Sequence, residues 1–379
     1  VDDNIQISET TTSNIKKADK FESLSHWQLM KRRFFRHRLA VISLGILTLF
    51  YIVAIFAGFF APFSTRARNV SLQTAPPQTI NFFDEDGNFH LRPFIYGMER
   101  TLDMQTYQSV YEIDYEEKQK LYFFNRGEEY NLLGLFSTDI HLFGIEEDEM
   151  FYLMGADRLG RDLFSRIIHG SRISLSIGFV GVIISLILGL SLGGISAMFG
   201  GLADIVIQRI IEILLSLPRI PLWMALSASL PPGWSPIQVY FAITIILSLI
   251  TWTNVARIAR GKFLSLKDED FVEAARAAGA TEWYNIVHHL IPNFFSYVLV
   301  QLTLSIPAMI IGETALSFLG IGLRPPVVSW GVLLEQAQRM QIVAMHPWLL
   351  LPAIFVILTV LCFNFVGDGL RDAADPYSD

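Results

Sequence analysis

Long stretches of this chain carry no charge, and that constrains its fold more than any motif does. Five runs are uncharged or nearly so: Leu39 to Phe60, Ile173 to Phe199, Pro236 to Ala256, Phe294 to Ile311 and Trp348 to Val366. A sixth, Ile205 to Leu230, is apolar apart from Arg209, Glu212 and Arg219. At about 1.5 Å per helical residue, each is long enough to cross roughly 30 Å of hydrocarbon. Backbone groups in lipid must be paired within their own segment, so these runs predict helices and not strands. The expected fold class is an all-α polytopic membrane protein with six transmembrane helices. Composition agrees, with 17% charged residues against about 25% in soluble domains and a mean hydropathy of +0.41.

The basic run "KRRFFRHR", residues 31–38, stands immediately before the first span. Positive charge is retained on the cytoplasmic side, so residues 1–38 form a cytoplasmic N-terminal tail, with the polar stretch 1–25 loosely ordered. The first span, 39–61, is too long for a signal-peptide core and is expected to anchor the chain. Counting crossings puts an insertion, 62–154, outside, the stretch 262–293 inside, and a C-terminal tail, 368–379, inside. Residues 172–367 hold the other five helices. From Phe63 to Met154 there are seven Lys or Arg against sixteen Asp or Glu, and scarce positive charge is expected outside.

Within the insertion, "INFFDEDGNFHL" and "LYFFNRGEEYNLL" each place apolar residues on both sides of a polar turn containing Gly. They predict β-hairpins, with Phe82-Phe83 and Tyr122-Phe123-Phe124 supplying a modest β core. Asp84, Asp86 and Gly87 share a spacing with calcium loops, but the remaining ligand positions are absent, which favours a plain turn. Over 155–171, Leu159, Leu163, Phe164, Ile167 and Ile168 recur at helical spacing beside Arg158, Arg161, Asp162 and Arg166. That pattern predicts an amphipathic helix lying along the outer membrane surface, as an anchor or beside a pathway.

Between two spans the chain reads "DEDFVEAARAAGATEWYNIVHHLIPN", residues 268–293. Asp268, Glu269 and Asp270 suit the positive end of a helix dipole, and the alanines that follow favour helix. Gly279 is placed to end that helix in a left-handed conformation, Thr281 to cap a second short helix, and Pro292 to mark the approach to the next span. A smooth Ala face admits close approach by a partner. An ordered connector is the other reading.

Charge inside the spans is costly. Counted from Ile205, Arg219 falls roughly 21 Å along its helix, where an ionised group needs water or a partner. It is expected to line a pathway or to pair with Glu313, unless Pro218 and Pro221 break the helix and place it at the outer interface.

Several chemistries are disfavoured. Cys362 is the single cysteine, so neither an intrachain disulfide nor a cysteine zinc site is available. The eight histidines show no metal-ligand spacing, and the adjacent His288 and His289 suit connector residues. No phosphate-binding loop is present, since Gly261-Lys262 is followed by Phe263. No nucleophile-and-base constellation exists, so no catalytic residues and no cofactor are expected on this chain. A net charge of -7 disfavours nucleic acid.

The run Glu273-Ala274-Ala275, three residues, Gly279, nine residues, then His289-Leu290-Ile291-Pro292 resembles the EAA loop of ABC importer permeases. "GADRLGRDLFSRIIHGSRISLSIG", "ETALSFLGIGLRPPVVSWG" and "LTVLCFNFVGDGLRDAADP" are similar to blocks of the dipeptide/oligopeptide/nickel permeases, of the oligopeptide "C" type. The resemblance covers 155–376. Two features depart from the family: the outside insertion is longer, and Arg219 stands where a small or apolar residue is usual.

The resemblance implies a type I importer fold whose transmembrane domain spans 172–367, in a bacterial inner membrane. It implies coupling to ATPases through Glu273, Ala274, Ala275, Gly279, His289 and Pro292, with Asp157, Arg161 and Asp162 at the outer mouth. The implied partners are a second homologous permease, two ATPase subunits carrying ATP and Mg, a solute-binding protein and the lipid bilayer. Peptides are the default cargo, with oligosaccharides, opine-like compounds or nickel as alternatives. The insertion would then contact the binding protein, its acidic excess steering a basic patch, or brace the second permease. An ion-gradient-driven secondary transporter is the rival class; it leaves the 268–293 hairpin unexplained.

Overall fold

The computed structural model describes residues 26–374 apart from 106–108, 133 and 146–148. The stretches expected as loose tails, 1–25 and 375–379, lie outside the described residues. A short helix, α1 (His26–Phe34), leads through the basic run into α2 (Arg38–Ile55). There His37 caps the start by accepting from the Ala40 N–H at 3.1 Å. After a break at Phe56, α3 (Ala57–Phe60) completes the first span.

Beyond the insertion run α4 (Leu163–Phe199), α5 (Gly201–Ser216), α6 (Arg219–Ala228) and α7 (Pro236–Leu266). The polar hairpin contains α8 (Asp270–Ala277), α9 (Glu282–Tyr284) and α10 (Ile291–Asn293). Then come α11 (Phe295–Phe318), α12 (Trp330–Glu335), α13 (Met340–Met345) and α14 (Leu351–Ala374).

Among the described residues, five helices are long and apolar enough to cross a membrane, and α5 with α6 makes a sixth if that bent pair is one span. The polytopic helical fold expected from the sequence is therefore present. The bent pair is the exception to straight helices: its two halves meet at 93°, because Leu217 and Pro218 are extended and the proline cannot continue the ladder. Arg219 is consequently the first residue of a new helix, exposed, and not a charge midway along a straight span.

Small residues set the packing. A Cβ at Gly189 would lie 2.5 Å from the Val255 side chain, and one at Gly193 would lie 2.5 Å from the Ala256 carbonyl oxygen. Glycine there lets α4 and α7 touch backbone to backbone, the way apolar helices associate where no hydrophobic drive separates them from lipid. At one end of the bundle, α14 returns to the start of α2, where a Cβ on Gly369 would lie 2.4 Å from that of Ala40. The helix runs on to Ala374, so residues 368–374 continue a span where the sequence suggested a tail. Both ends of the described chain thus meet at one end of the bundle.

The insertion is β-structure, as expected: an antiparallel sheet ordered β1 (Asn81–Phe83), β2 (Phe89–Leu102), β3 (Ser109–Leu132), β4 (Phe136–Ile145). The first predicted hairpin is the β1–β2 turn. There Gly87 has φ +79°, and Asp84 accepts from the Asn88 N–H at 2.8 Å and lies 3.0 Å from His90 Nε2. With Lys118 also near, these contacts hold the Asp84 carboxyl below the usual range.

The second predicted hairpin does not form. Residues 121–132 run straight through β3, and Gly127 sits at an irregularity in its pairing with β4. The glycine is there for clearance, since a Cβ on it would come within 2.8 Å of the His141 ring. Nor do the aromatic clusters make the core. Phe82, Phe83, Phe123 and Phe124 are exposed, while Ile95, Leu121, Ile145 and Phe151 are buried together.

The stretch 155–171 also differs from expectation. Residues 155–162 form a compact joint and α4 begins only at Leu163, so no separate surface helix exists. The Asn69 N–H donates to the Gly160 carbonyl (2.9 Å), the Thr74 N–H to Asp157 (2.9 Å) and the Ala156 N–H to Ala75 (2.8 Å). The apolar residues taken for a lipid-facing stripe, Leu163 and Ile167, are buried in the core. Helical spacing alone cannot tell a lipid-facing stripe from a protein-facing one.

Candidate functional site

The hairpin after α7 has two faces. Its first arm, α8, opens on Asp270 and Glu273, which complement the helix dipole. It stops at Gly279, whose φ of +89° only glycine adopts without strain; there the Ala280 N–H reaches back to the Ala275 carbonyl at 2.9 Å. The Thr281 hydroxyl accepts from the Tyr284 N–H at 3.2 Å and starts the second arm. That arm widens into a π-turn, Asn285–Leu290, before α10, which contains Pro292.

The inner face is apolar and buried. Val272, Ile286 and Leu290 are fully buried against Phe263, Leu190, Ala197 and Phe294, each burial contributing about 1.5–3 kcal/mol. A Cβ on Gly194 would lie 3.1 Å from both Ile286 and Phe263, so α4 offers the hairpin a glycine seat. The outer face is open, with Glu273, Ala274, Ala277, Ala278 and Gly279 exposed beside exposed Phe271, Trp283, Tyr284 and Val287. His289 lies between the arms, 6.3 Å from the Phe271 ring and 5.7 Å from Tyr284, and His288 stacks on Tyr284 at 4.2 Å.

The arms are locked by a pair that sequence reasoning missed. Arg276 donates from Nε to Glu282 at 2.9 Å and from a terminal nitrogen to the same carboxylate at 3.3 Å. Its other nitrogen donates to the Lys267 carbonyl at 3.2 Å. Opposite charges on either side of Gly279 were the available signal.

Glu313 and Arg219 do not pair. Glu313 is fully buried and accepts from the hydroxyls of Ser317 (2.8 Å) and Ser329 (2.7 Å). Ser329 also caps α12 through the Val332 N–H at 3.2 Å. The carboxyl therefore binds α11 to α12 from within, while the break at Pro218 carries Arg219 elsewhere.

Asp157, Arg161 and Asp162 meet at the opposite end of α4. Asp157 accepts from the Leu159 N–H (2.8 Å), the Arg161 N–H (3.0 Å), Arg161 Nε (2.7 Å) and Arg166. Burial pushes its carboxyl up, but the two guanidiniums outweigh that and hold it low. Asp162 caps α4 by accepting from the Phe164 (3.3 Å) and Ser165 (2.7 Å) N–H groups, and burial pushes it up to about 6. Both carboxylates are buried, so Asp157 and Asp162 build the joint and offer no lining to an outer mouth, while Arg161 is half-buried.

The joint and sheet sit at one end of α4, where Phe143 packs on Phe164 at 5.7 Å. The hairpin seat lies at the other, around Leu190 and Ala197. The helix has 37 residues, about 55 Å at 1.5 Å each. A bundle of apolar helices with a polar two-armed hairpin seated on one end, its outer face open, defines a multi-pass membrane protein.

Comparison with known proteins gives the family. The binding-protein-dependent transport system inner membrane component family matches residues 164–377, and the N-terminal transmembrane domain of oligopeptide transport permease C matches 25–77. The oligopeptide transport system permease protein of Haemophilus influenzae is 34% identical over 94% of this chain and 90% of its own length. The dipeptide transport system permease protein of Bacillus subtilis is 40% identical over 59% of this chain and 68% of its own. The methionine ABC transporter permease aligns at 20% identity and a TM-score of 0.41, over 56% of this chain and 97% of that one, a likeness too slight to build on. The chain belongs to the binding-protein-dependent transport system inner membrane component family. It is a permease subunit of an ABC importer, and such subunits work with ATPase and binding-protein partners.

Proposed function

We propose that this chain forms half of a peptide pathway across a bacterial inner membrane and passes ATPase motion to it through the 262–293 hairpin. The observation that carries the coupling role is the two-faced hairpin, sealed onto α4 and α7 by Val272, Ile286 and Leu290 and open on its Ala and aromatic side. Glu273, Ala274, Ala275, Gly279, His289 and Pro292 belong to that docking element. ATP and Mg bind the partner ATPases; this chain carries no chemistry of its own. A second, homologous permease completes the pathway, two ATPases lie below, and a solute-binding protein docks from outside. Relatives named for oligopeptides, dipeptides and glutathione support a peptide cargo.

The basic run beside α2 and the acidic insertion at the far end of α4 support cytoplasmic termini and an outside sheet. With the hairpin held rigidly on two long helices, closure of the ATPases rocks the bundle between inward- and outward-open states. The test is Glu273→Lys in the complete importer. Loss of transport-coupled ATP hydrolysis with the complex still assembled is expected. Normal coupled hydrolysis and transport in that variant would remove Glu273 from the docking role.

A further inference from the structure

We infer that the tip of the β3–β4 hairpin, at Asn131, Leu132, Gly134, Leu135 and Phe136, dips into the bilayer beside the first span and contacts lipid acyl chains. The tip sequence "NLLGLF" carries no charge, and Leu135 and Phe136 are 76% and 67% exposed. Asn131 and Gly134 border a hollow of about 410 Å3 whose other walls include Tyr51 and Ile55 of α2 and Phe179 and Val180 of α4. Those four residues belong to helices that cross the membrane, so the tip shares their depth.

One contact between sheet and span bears on that depth. Tyr130 packs on Gly58 at the end of the first span, where a Cβ would lie 2.2 Å from its ring. From Tyr130 to Leu132, where β3 ends, the strand advances about 7 Å at 3.3 Å per residue. From Gly58 back to Tyr51 the helix descends about 10 Å at 1.5 Å per residue. Tyr51 itself stands about 20 Å from Arg38, inside a hydrocarbon layer of roughly 30 Å.

The backbone suits that place. Tyr130 pairs with Thr138, Asn131 with Ser137 and Leu132 with Phe136, and the Leu135 N–H donates to the Leu132 carbonyl at 3.0 Å. Among the described residues, these pairings satisfy backbone groups that lipid could not. Exposed Phe124 lies at the end of the span, 6.2 Å from Phe59, as aromatic residues do at a bilayer interface. The wall beside the tip is also the least covered. The best apolar window of α2 is 22% buried against 61% for α7, and Leu49, Ile52 and Ile55 of α2 are exposed.

The depth rests on α2 being a span; the orientation proposed above decides only which leaflet is entered. The test places a nitroxide at Leu135→Cys, Phe136→Cys, Ile52→Cys and Glu129→Cys, each with Cys362→Ala, in the full importer in lipid nanodiscs. Power saturation with oxygen and a water-soluble nickel chelate then reports the surroundings of each label. Labels at 135 and 136 are expected to match Ile52, with an oxygen-to-nickel ratio severalfold above that at 129. Nickel access at the tip equal to that at 129 would place it in water and overturn the inference. A tip closed to both reagents would mean cover by a neighbouring subunit and overturn it equally. A water-like signal at Ile52 would instead overturn the span that sets the depth.

Discussion

Arg276 and Glu282 close the coupling hairpin across Gly279 by a two-pronged bond of 2.9 and 3.3 Å. The pair is about one-third exposed, which limits its worth to about 1 kcal/mol. Its geometry matters more than its energy, since it holds α8 and α9 at one angle while the Lys267 carbonyl binds the same guanidinium. Arg276→Ala is expected to leave basal ATP hydrolysis in place and to cut peptide uptake severalfold. Arg276→Lys, which keeps the charge and loses the fork, should restore only part. Uptake and hydrolysis measured on the same proteoliposomes check this.

Gly279→Val isolates the backbone. Nothing lies within 4 Å of a Cβ there, so the penalty is the left-handed conformation itself, about 1–2 kcal/mol. Coupled hydrolysis should fall steeply for Val and mildly for Asn, which tolerates that conformation. Equal loss for both would point instead to a partner group filling the space.

Gly194→Val attacks the seat from below. The added carbons meet Ile286 and Phe263, which stand 3.1 Å from an ideal Cβ, and the hairpin must lift. Protease sensitivity within 268–293 should rise while the other spans stay inserted. Ile286→Ala in the same chain makes room and should reverse part of the effect.

The sequence made the spans and this hairpin legible because both are local. Uncharged runs report lipid directly, and Gly279 and Thr281 act on their own neighbours. What failed was long-range. Gly127 looks like a turn until the His141 ring is known to lie against it. Leu163 and Ile167 look like a membrane-surface stripe until the core closes over them. Arg219 and Glu313 look like partners until Pro218 turns the chain and Ser317 and Ser329 take up the carboxyl.

The Asp162 carboxyl gives a pH test. It is raised to about 6 in the folded protein from roughly 3.9 in an unfolded chain. The folded state therefore holds the proton more tightly, and stability is fully present below about pH 4 and declines as pH rises through about 6. Asp162→Asn keeps an acceptor for the cap and removes the titration. Its melting temperature relative to the unaltered protein should improve from pH 4 to pH 7.5; no change across that range would contradict the raised value.

The outer face of the hairpin as the ATPase docking surface is tested most directly by photo-cross-linking. A photoreactive residue is placed at Ala274, Trp283 or Val272 of the assembled importer. Adducts with the ATPase subunit are expected from 274 and 283, on the exposed side, and none from 272, which is buried in the seat. Adducts from 274 and 283 found only with the second permease or with lipid, and never with the ATPase, would contradict the account.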